Sequence, residues 1–345
     1  MTVGTFQTSN DAAAHNQLIL DEVACPLCGS DRRRIAAGGL VNFLNRNDTQ
    51  RYSFSECADC SLAYLNPRPR NLDAVYPEDY SKHQANALGT SRFRDWSRRL
   101  LHRLFLNYPP RPVLAGLGRS LFKRRWEAYR AHHPQLQVPW RGEGRGRLLD
   151  VGSGAGDKAA KFRLLGWQVI GVETDPEAAA RARQIHGLDI RAGYLSQQDF
   201  KPASFDAATL MSVLEHVPAP LDLLREIHAL LVPGGVLLLD VPSWNSRLRE
   251  AFGPAWTQYA APQHWLIPTE KTLRAMAEQA GFRVEWIEQR CSMSLYRKSI
   301  LRAKELGTLD PALPTDNASI LNWFTDAVKS GRGELQLMLA SKPVV

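Results

Sequence analysis

The segment Arg147-Leu-Leu-Asp-Val-Gly-Ser-Gly-Ala-Gly156 predicts a buried strand followed by a ligand-binding turn. Its apolar run is typical of a strand inside a parallel sheet. The glycines that follow let the backbone turn tightly and approach a ligand closely. A helical pattern then runs from Asp157 to Leu165, and the N-terminus of that helix would present unpaired N–H groups to an anionic group. These features together indicate a nucleotide site.

The spacing of the glycines narrows the choice of nucleotide. Gly152, Gly154 and Gly156 alternate strictly, whereas a dinucleotide turn has the pattern Gly-x-Gly-x-x-Gly. Asp150 stands two places before the first glycine, with Ser153 inside the turn. The segment resembles motif I of class I S-adenosylmethionine (SAM) methyltransferases. The resemblance implies that SAM is the cofactor and that these five residues bind it.

Strand and helix patterns alternate from Gly146 onward, which is typical of a parallel sheet with right-handed crossovers. Glu173 follows the second strand, Gln168 to Val172, at the distance where nucleotide folds place a carboxylate on ribose hydroxyls. In the family pattern the matching acid binds the SAM ribose. Residues Gly333 to Lys342 are expected to form a final antiparallel strand. The sequence therefore predicts an α/β, Rossmann-like, seven-stranded methyltransferase sheet with helices on both faces.

Further resemblance lies around the predicted fourth strand. Leu214-Glu215-His216-Val217 and the turn Val232-Pro-Gly-Gly235 are similar to segments of many small-molecule methyltransferases. The family places its adenine contact after the third strand, where this chain has Leu195. The resemblance implies that Leu195, Met211 and Glu215 complete the cofactor site.

Two Cys-x-x-Cys pairs near the N-terminus, Cys25/Cys28 and Cys57/Cys60, form the ligand set of a tetrahedral structural zinc site. A catalytic zinc site would keep one coordination position for water, which a four-cysteine set does not. A redox dithiol would stand at the start of a helix in a thioredoxin-like pattern, which neither pair does. We expect a hairpin at Asn42 to Phe54 to fill the gap between the pairs.

The residues after the second pair extend the resemblance. Leu62 to Arg70 is rich in proline and arginine, and the element Tyr76-x-x-x-Tyr80 follows it. This arrangement is similar to the N-terminal part of bacterial methyltransferases of methyltransferase family 23 and of certain sugar C-methyltransferases.

We therefore divide the chain into four parts and one insertion. These are a disordered N-terminus (1–20), a zinc-ribbon module (21–90), a basic helical linker (91–140) and a methyltransferase domain (141–345) with a helical insertion (292–330). The basic residues of the linker indicate either a solvated helical face or a surface for an anionic acceptor or lipid.

Composition leaves the partner open. The chain has 345 residues and a formal net charge of +8, which fits an anionic partner such as RNA, a nucleotide-linked sugar or a membrane surface. No apolar run approaches the ~20 residues of a membrane span, so we expect at most peripheral membrane contact. The N-terminus lacks the pattern of a secretion signal, and we expect a cytoplasmic protein.

The acceptor side is expected in the aromatic segment Pro254 to Ile267, beyond the predicted fifth strand. The methyl group of SAM is already electrophilic, so a base is needed only for a poorly nucleophilic acceptor such as a hydroxyl. His264 is the first candidate for this base and His216 the second, although either histidine could instead bond the backbone and order a loop. The segment's aromatic residues line the acceptor pocket or serve as plain packing.

The methyl acceptor is predicted to be a small molecule, a sugar or a lipid-linked glycan. The chain lacks the Asn-Pro-Pro-Tyr turn and the Pro-Cys nucleophile of nucleic-acid methyltransferases, and O-methylation is favoured. The alternative is an RNA methyltransferase that uses the zinc ribbon and the basic segment. A third interpretation is a non-enzymatic binding module that retains the fold.

Overall fold

The structure is a computed structural model that describes residues 18–70, 92–108, 115–140 and 146–344. Most of the N-terminal segment predicted to be disordered, and the Tyr76-x-x-x-Tyr80 element, lie outside these residues. Residues 18–70 contain five short strands: β1 (Leu20–Asp21), β2 (Arg33–Leu40), β3 (Tyr52–Cys57), β4 (Ala63–Leu65) and β5 (Arg68–Pro69).

The hairpin between the cysteine pairs differs from the prediction of Asn42 to Phe54. Its arms are β2 and β3, with Arg33 opposite Cys57 and Leu40 opposite Tyr52, and residues 41–51 form the connection. β2 is an edge strand with mostly exposed or half-buried side chains, so it lacks the apolar alternation that marks a strand in sequence.

Two helices follow, α1 (Arg92–Phe105) and α2 (Ala115–His132), as the helical spacing predicted. Phe105 of α1 stacks on Trp126 of α2 with 5.0 Å between ring centroids. Nε of Arg99 donates to the backbone oxygen of Leu164 at 2.7 Å, which ties α1 to the next part of the chain. Helix α1 therefore packs against the part of the chain that contains Leu164.

A seven-stranded sheet forms the centre of the described structure. Its strands are β6 (Arg147–Val151), β7 (Gln168–Glu173), β8 (Asp189–Ala192), β9 (Phe205–Met211), β10 (Leu231–Pro242), β12 (Arg283–Arg290) and β13 (Leu335–Ser341), and the two-residue strand β11 (Leu266–Ile267) lies outside it. The order is β12-β13-β10-β9-β6-β7-β8, in which β13 is antiparallel to both neighbours. The predicted mixed α/β sheet of seven mostly parallel strands is confirmed.

Seven more helices connect these strands: α3 (Asp157–Leu165), α4 (Pro176–His186), α5 (Pro220–Leu230), α6 (Arg247–Phe252), α7 (Glu270–Gln279), α8 (Met293–Leu306) and α9 (Asn317–Lys329). Leu148 and Leu149 of β6 belong to two different buried apolar clusters, because neighbouring strand residues face opposite sides of the sheet. The Asp175 side chain caps α4 by accepting from the N–H groups of Glu177 and Ala178.

The N-terminal strands do not stand apart from this body. Strands β2, β3 and β4 form an antiparallel sheet whose fourth member is β11, from the segment after β10. The predicted division into a ribbon module, a linker and a methyltransferase domain stays a prediction. Among the residues that the structure describes, no helix has the length and apolar character needed to cross a bilayer.

Candidate active site

The glycine turn after β6 requires glycine for physical reasons. Gly152, Gly154 and Gly156 have φ angles of +72°, +54° and +83°, which L side chains rarely adopt. A Cβ on Gly152 would lie 2.3 Å from Cγ2 of Val213, and one on Gly156 would lie 2.9 Å from Cβ of Ala182. The alternating spacing thus matches a backbone that both bends and packs tightly.

Asp150 lies buried beneath the turn. One carboxyl oxygen, Oδ1, accepts a hydrogen bond of 2.6 Å from the hydroxyl of Thr209 on β9. The Ser153 hydroxyl donates to the backbone oxygen of Asp150 at 2.7 Å. Burial raises the pKa of Asp150, while the Thr209 hydrogen bond and the charge of Lys158 lower it. Asp150 therefore links β6 to β9 where both strands end.

Glu173, at the end of β7, reaches the same turn. Its Oε2 accepts from the Gly154 N–H at 2.7 Å, and its Oε1 accepts from the Asp175 N–H at 2.9 Å. Its backbone oxygen accepts from Gly193 at 2.8 Å, two residues before the buried Leu195. The structure thus brings together the glycine turn, Asp150 and Glu173, with Leu195 at the next strand end. Their roles in cofactor binding stay predictions.

The end of β9 holds the remaining predicted cofactor residues. Met211 is buried, and its backbone oxygen accepts from Nζ of Lys158 at 3.4 Å. Ser212 follows with φ +56°, and its N–H donates to Oδ1 of Asp240 at 2.6 Å. Sequence reasoning missed Asp240, although a carboxylate near the end of a buried strand was the available signal.

Glu215 lies with the two candidate histidines. It is buried, and burial, reinforced by the charge of Asp240, raises the pKa of its carboxyl to about 8. Glu215, His216 and His264 each offer one possible ligand atom, and these atoms lie within 4.8 Å of one another. We call these three residues the Glu–His–His cluster.

Both histidine rings are oriented by backbone carbonyls. Nδ1 of His216 donates to the oxygen of Gln263, and Nδ1 of His264 to the oxygen of Gln258, each at 2.8 Å. The ring centroids are 4.7 Å apart and meet edge to face. Burial, with the neighbouring His216, holds the pKa of His264 well below its ordinary value. Two residues named from the sequence as alternatives therefore occupy one site.

The aromatic residues of the segment before β11 are buried. Trp256 and Tyr259 pack edge to face at 5.1 Å, and Tyr259 also contacts Phe54 of β3 at 5.6 Å. These contacts support the packing interpretation for both residues. The guanidinium of Arg68 lies over the ring of Trp265 at 4.8 Å from its centroid.

The four predicted zinc ligands lie together. Sγ of Cys25 is 3.4 Å from Sγ of Cys60, and Sγ of Cys28 is 3.5 Å from Sγ of Cys57. These distances are well above the ~2.05 Å of a disulfide and near the ~3.8 Å between sulfurs that share a tetrahedral zinc with ~2.3 Å bonds. The four sulfur atoms lie within 4.8 Å of one another, which is close enough for one metal ion to bind them.

Known proteins resemble the part of the chain that contains the glycine turn. Residues 91–286 match the family model described as a methyltransferase domain. The ubiquinone biosynthesis O-methyltransferase of Xanthomonas campestris pv. campestris is 42% identical over 101 residues, which cover 27% of this chain and 42% of that protein. The protein of the same description from Albidiferax ferrireducens is 37% identical over 97 residues, covering 26% and 38% respectively.

The chain thus matches about two fifths of the length of these curated relatives. A solved SAM-dependent methyltransferase from Thermotoga maritima is 18% identical with a TM-score of 0.43, covering 65% of this chain and 98% of its own. The family model spans more than half of the chain, so the protein belongs to the methyltransferase domain family and to the SAM-dependent enzymes predicted from its glycine turn.

Proposed function

We propose that this protein transfers the methyl group of SAM to a hydroxyl oxygen of a small-molecule acceptor. The observation that carries the proposal is the position of the Glu–His–His cluster. It begins two residues after Val213, whose side chain packs against the glycine turn at Gly152. Groups that can activate a hydroxyl therefore lie next to the predicted cofactor site. The O-methyltransferase names of the curated relatives support the same reaction class.

In this proposal the glycine turn lies under the methionine part of SAM, and Glu173 receives the ribose hydroxyls. Bound SAM supplies an electrophilic methyl group. The protein's part is to hold the acceptor oxygen in line with the carbon–sulfur bond and to exclude water. Buried Met211, with Val213 packed against Gly152, provides apolar surface for that purpose.

The hydroxyl must lose its proton as the oxygen–carbon bond forms. The carbon–sulfur bond breaks, its electron pair stays on sulfur, and the proton leaves to a base or to water. His264 and His216 are the proton acceptors predicted from the sequence, and these assignments stay predictions.

We also propose that Cys25, Cys28, Cys57 and Cys60 hold one structural zinc ion. A closed thiolate set leaves no position for substrate, so its contribution is to the folding of the N-terminal sheet. The curated relatives are named for ubiquinone biosynthesis, which supports a small hydroxyl compound as the acceptor. A cytoplasmic location stays a prediction.

The test is calorimetric titration with S-adenosylhomocysteine, followed by transfer of labelled methyl from SAM to a panel of phenols, hydroxy acids and matched amines. We expect micromolar binding and label on hydroxyl compounds alone. Gly154→Arg fills the turn and should abolish binding. Gly116→Arg is the matched control, since a Cβ at that exposed helical position meets no atom within 4 Å. Label on amines alone, or tight binding by Gly154→Arg, would contradict the proposal.

A further inference from the structure

The Glu–His–His cluster has features that proton transfer alone does not explain. Glu215 and His216 lie in the short turn after β9, and His264 lies in the segment that leads to β11. The backbone N–H of Trp265 donates to the backbone oxygen of Glu215 at 2.6 Å, which holds the two segments against each other. The three side chains therefore converge from two rigidly joined pieces of chain.

In both imidazoles the proton lies on Nδ1, which is not the nitrogen assigned to the metal. Since Nδ1 of each ring donates to a backbone carbonyl at 2.8 Å, the tautomer is fixed and the lone pair lies on Nε2. This arrangement is the usual support of a metal-ligating histidine, whose second nitrogen donates to a carbonyl or carboxylate. A neutral imidazole is also the form that a metal requires.

Glu215 supplies an independent observation. Its side chain is buried, and its Oε2 has no hydrogen-bond partner among the residues that the structure describes. A buried carboxyl oxygen without a partner costs free energy, about 1–3 kcal/mol or more. A bound cation would satisfy it.

We propose that Glu215, His216 and His264 bind one divalent first-row transition-metal ion. Two imidazoles and one carboxylate suit such ions and leave coordination positions open. The candidate ligand atoms lie within 4.8 Å of one another, whereas ligands with ~2.1 Å bonds in a tetrahedral site are about 3.4 Å apart. The His264 ring keeps its hydrogen bond to Gln258, so the required approach is made by Glu215, whose Oε2 has no hydrogen-bond partner among the described residues.

The role of the ion rests on the proposed function. A hydroxyl bound to a divalent ion loses its proton more readily, so an acceptor oxygen placed on an open position becomes a nucleophile near neutral pH. The hydroxyl proton leaves to water, the oxygen bonds the methyl carbon, and sulfur keeps the electrons of the broken carbon–sulfur bond. His264 fits the role of a ligand because its Nδ1 is already held by the backbone oxygen of Gln258. Glu215, predicted as a cofactor contact, becomes a ligand.

The test uses the full chain with its cysteine site loaded with zinc, titrated with Co²⁺ by calorimetry and visible absorption. We expect one additional Co²⁺ per chain, with ligand-field bands and no thiolate charge-transfer band. Glu215→Gln and His264→Gln should each weaken Co²⁺ binding at least about 100-fold. His132→Gln, an exposed histidine on α2, is the matched control and should bind Co²⁺ normally.

Circular dichroism checks that each variant is folded, and the Co²⁺ spectrum of the unmodified chain decides the matter if one variant fails to fold. Absence of Co²⁺ binding, a thiolate band only, or unchanged affinity in both variants would overturn the proposal. Full methyl transfer after chelation, with the ion removed, would restore His264 as a direct base and also overturn it. Co²⁺ binding at this site without methyl transfer to any acceptor would refute the proposed function and leave the metal site standing.

Discussion

Replacing Gly152 by alanine tests whether the turn after β6 depends on both its backbone conformation and its packing. Gly152 has a φ of +72°, and a Cβ there would lie 2.3 Å from Cγ2 of Val213. The two penalties have different physical origins. The first is backbone strain, and the second is overlap with a neighbouring side chain.

Each penalty has a magnitude. A left-handed conformation costs an L residue roughly 1–2 kcal/mol. Forcing an extra methyl into a packed position costs about 1–3 kcal/mol. Gly152→Ala should therefore lower the free energy of unfolding by about 2–5 kcal/mol and weaken S-adenosylhomocysteine binding, because the methyl can be accommodated only if the turn or Val213 moves.

The assay is denaturant unfolding of four proteins: Gly152→Ala, Val213→Ala, the double variant and Gly187→Ala. Gly187 has a φ of +60° and its added Cβ would meet only Arg163, at 3.9 Å, so Gly187→Ala measures strain without overlap. The double variant should recover about 1–3 kcal/mol relative to the sum of the single changes. Equal losses for Gly152→Ala and Gly187→Ala, or a coupling below about 0.5 kcal/mol, would refute the reasoning.

Three further outcomes are expected. Burial raises the pKa of Glu334 to about 8 from 4.5, so the folded chain keeps a proton that the unfolded chain releases, and stability falls as pH rises between these values. As the pH rises from about 5.5 to 7.5, the free energy of unfolding of Glu334→Gln should therefore increase by about 3 kcal/mol relative to that of the parent. Glu278→Gln, at an exposed position, is the control and should show no such increase when unfolding is measured against pH. Cys25→Ser should lose one zinc by elemental analysis and destabilise the N-terminal sheet; a folded parent without zinc would contradict this. Thr209→Val removes a hydrogen bond to buried Asp150 and should cost about 1.5–3 kcal/mol of unfolding free energy, and a neutral effect would show that Asp150 does not need it.

The central sheet was predictable because its signals are local. Helix α3 and strand β8 have the predicted bounds, and Asp175 caps α4 as its position before Pro176 indicated. Buried parallel strands are short apolar runs, and glycine or proline marks their ends. The carboxyl ends of neighbouring parallel strands meet, which explains why Glu173 of β7 contacts Gly154 in the turn after β6, although the sequence indicated Glu173 only as a ribose contact.

Long-range pairings were not predictable in the same way. β11 has only two residues, and it pairs Leu266 with Tyr64 and Ile267 with Ala63 of the distant strand β4, so no periodic pattern indicates the pairing. His216 and His264 were named separately because sequence shows neither their edge-to-face contact nor the buried Glu215 beside them. Such a cluster depends on how a loop folds back over the sheet edge.

The pairing of β4 with β11 gives the cysteine site a functional consequence. Leu65 donates to the backbone oxygen of Trp265 at 2.9 Å, and Nε2 of Gln263 donates to Oδ1 of Asn42 at 3.1 Å. His264 stands between these two anchors, whereas the glycine turn is held by β7 and β9. Weakening the β2–β3 hairpin between the two cysteine pairs should therefore displace His264 more than it displaces the glycine turn. Cys25→Ser should raise the KM for the acceptor while S-adenosylhomocysteine affinity stays near that of the parent, and equal loss of both would show that the N-terminal sheet supports the whole domain.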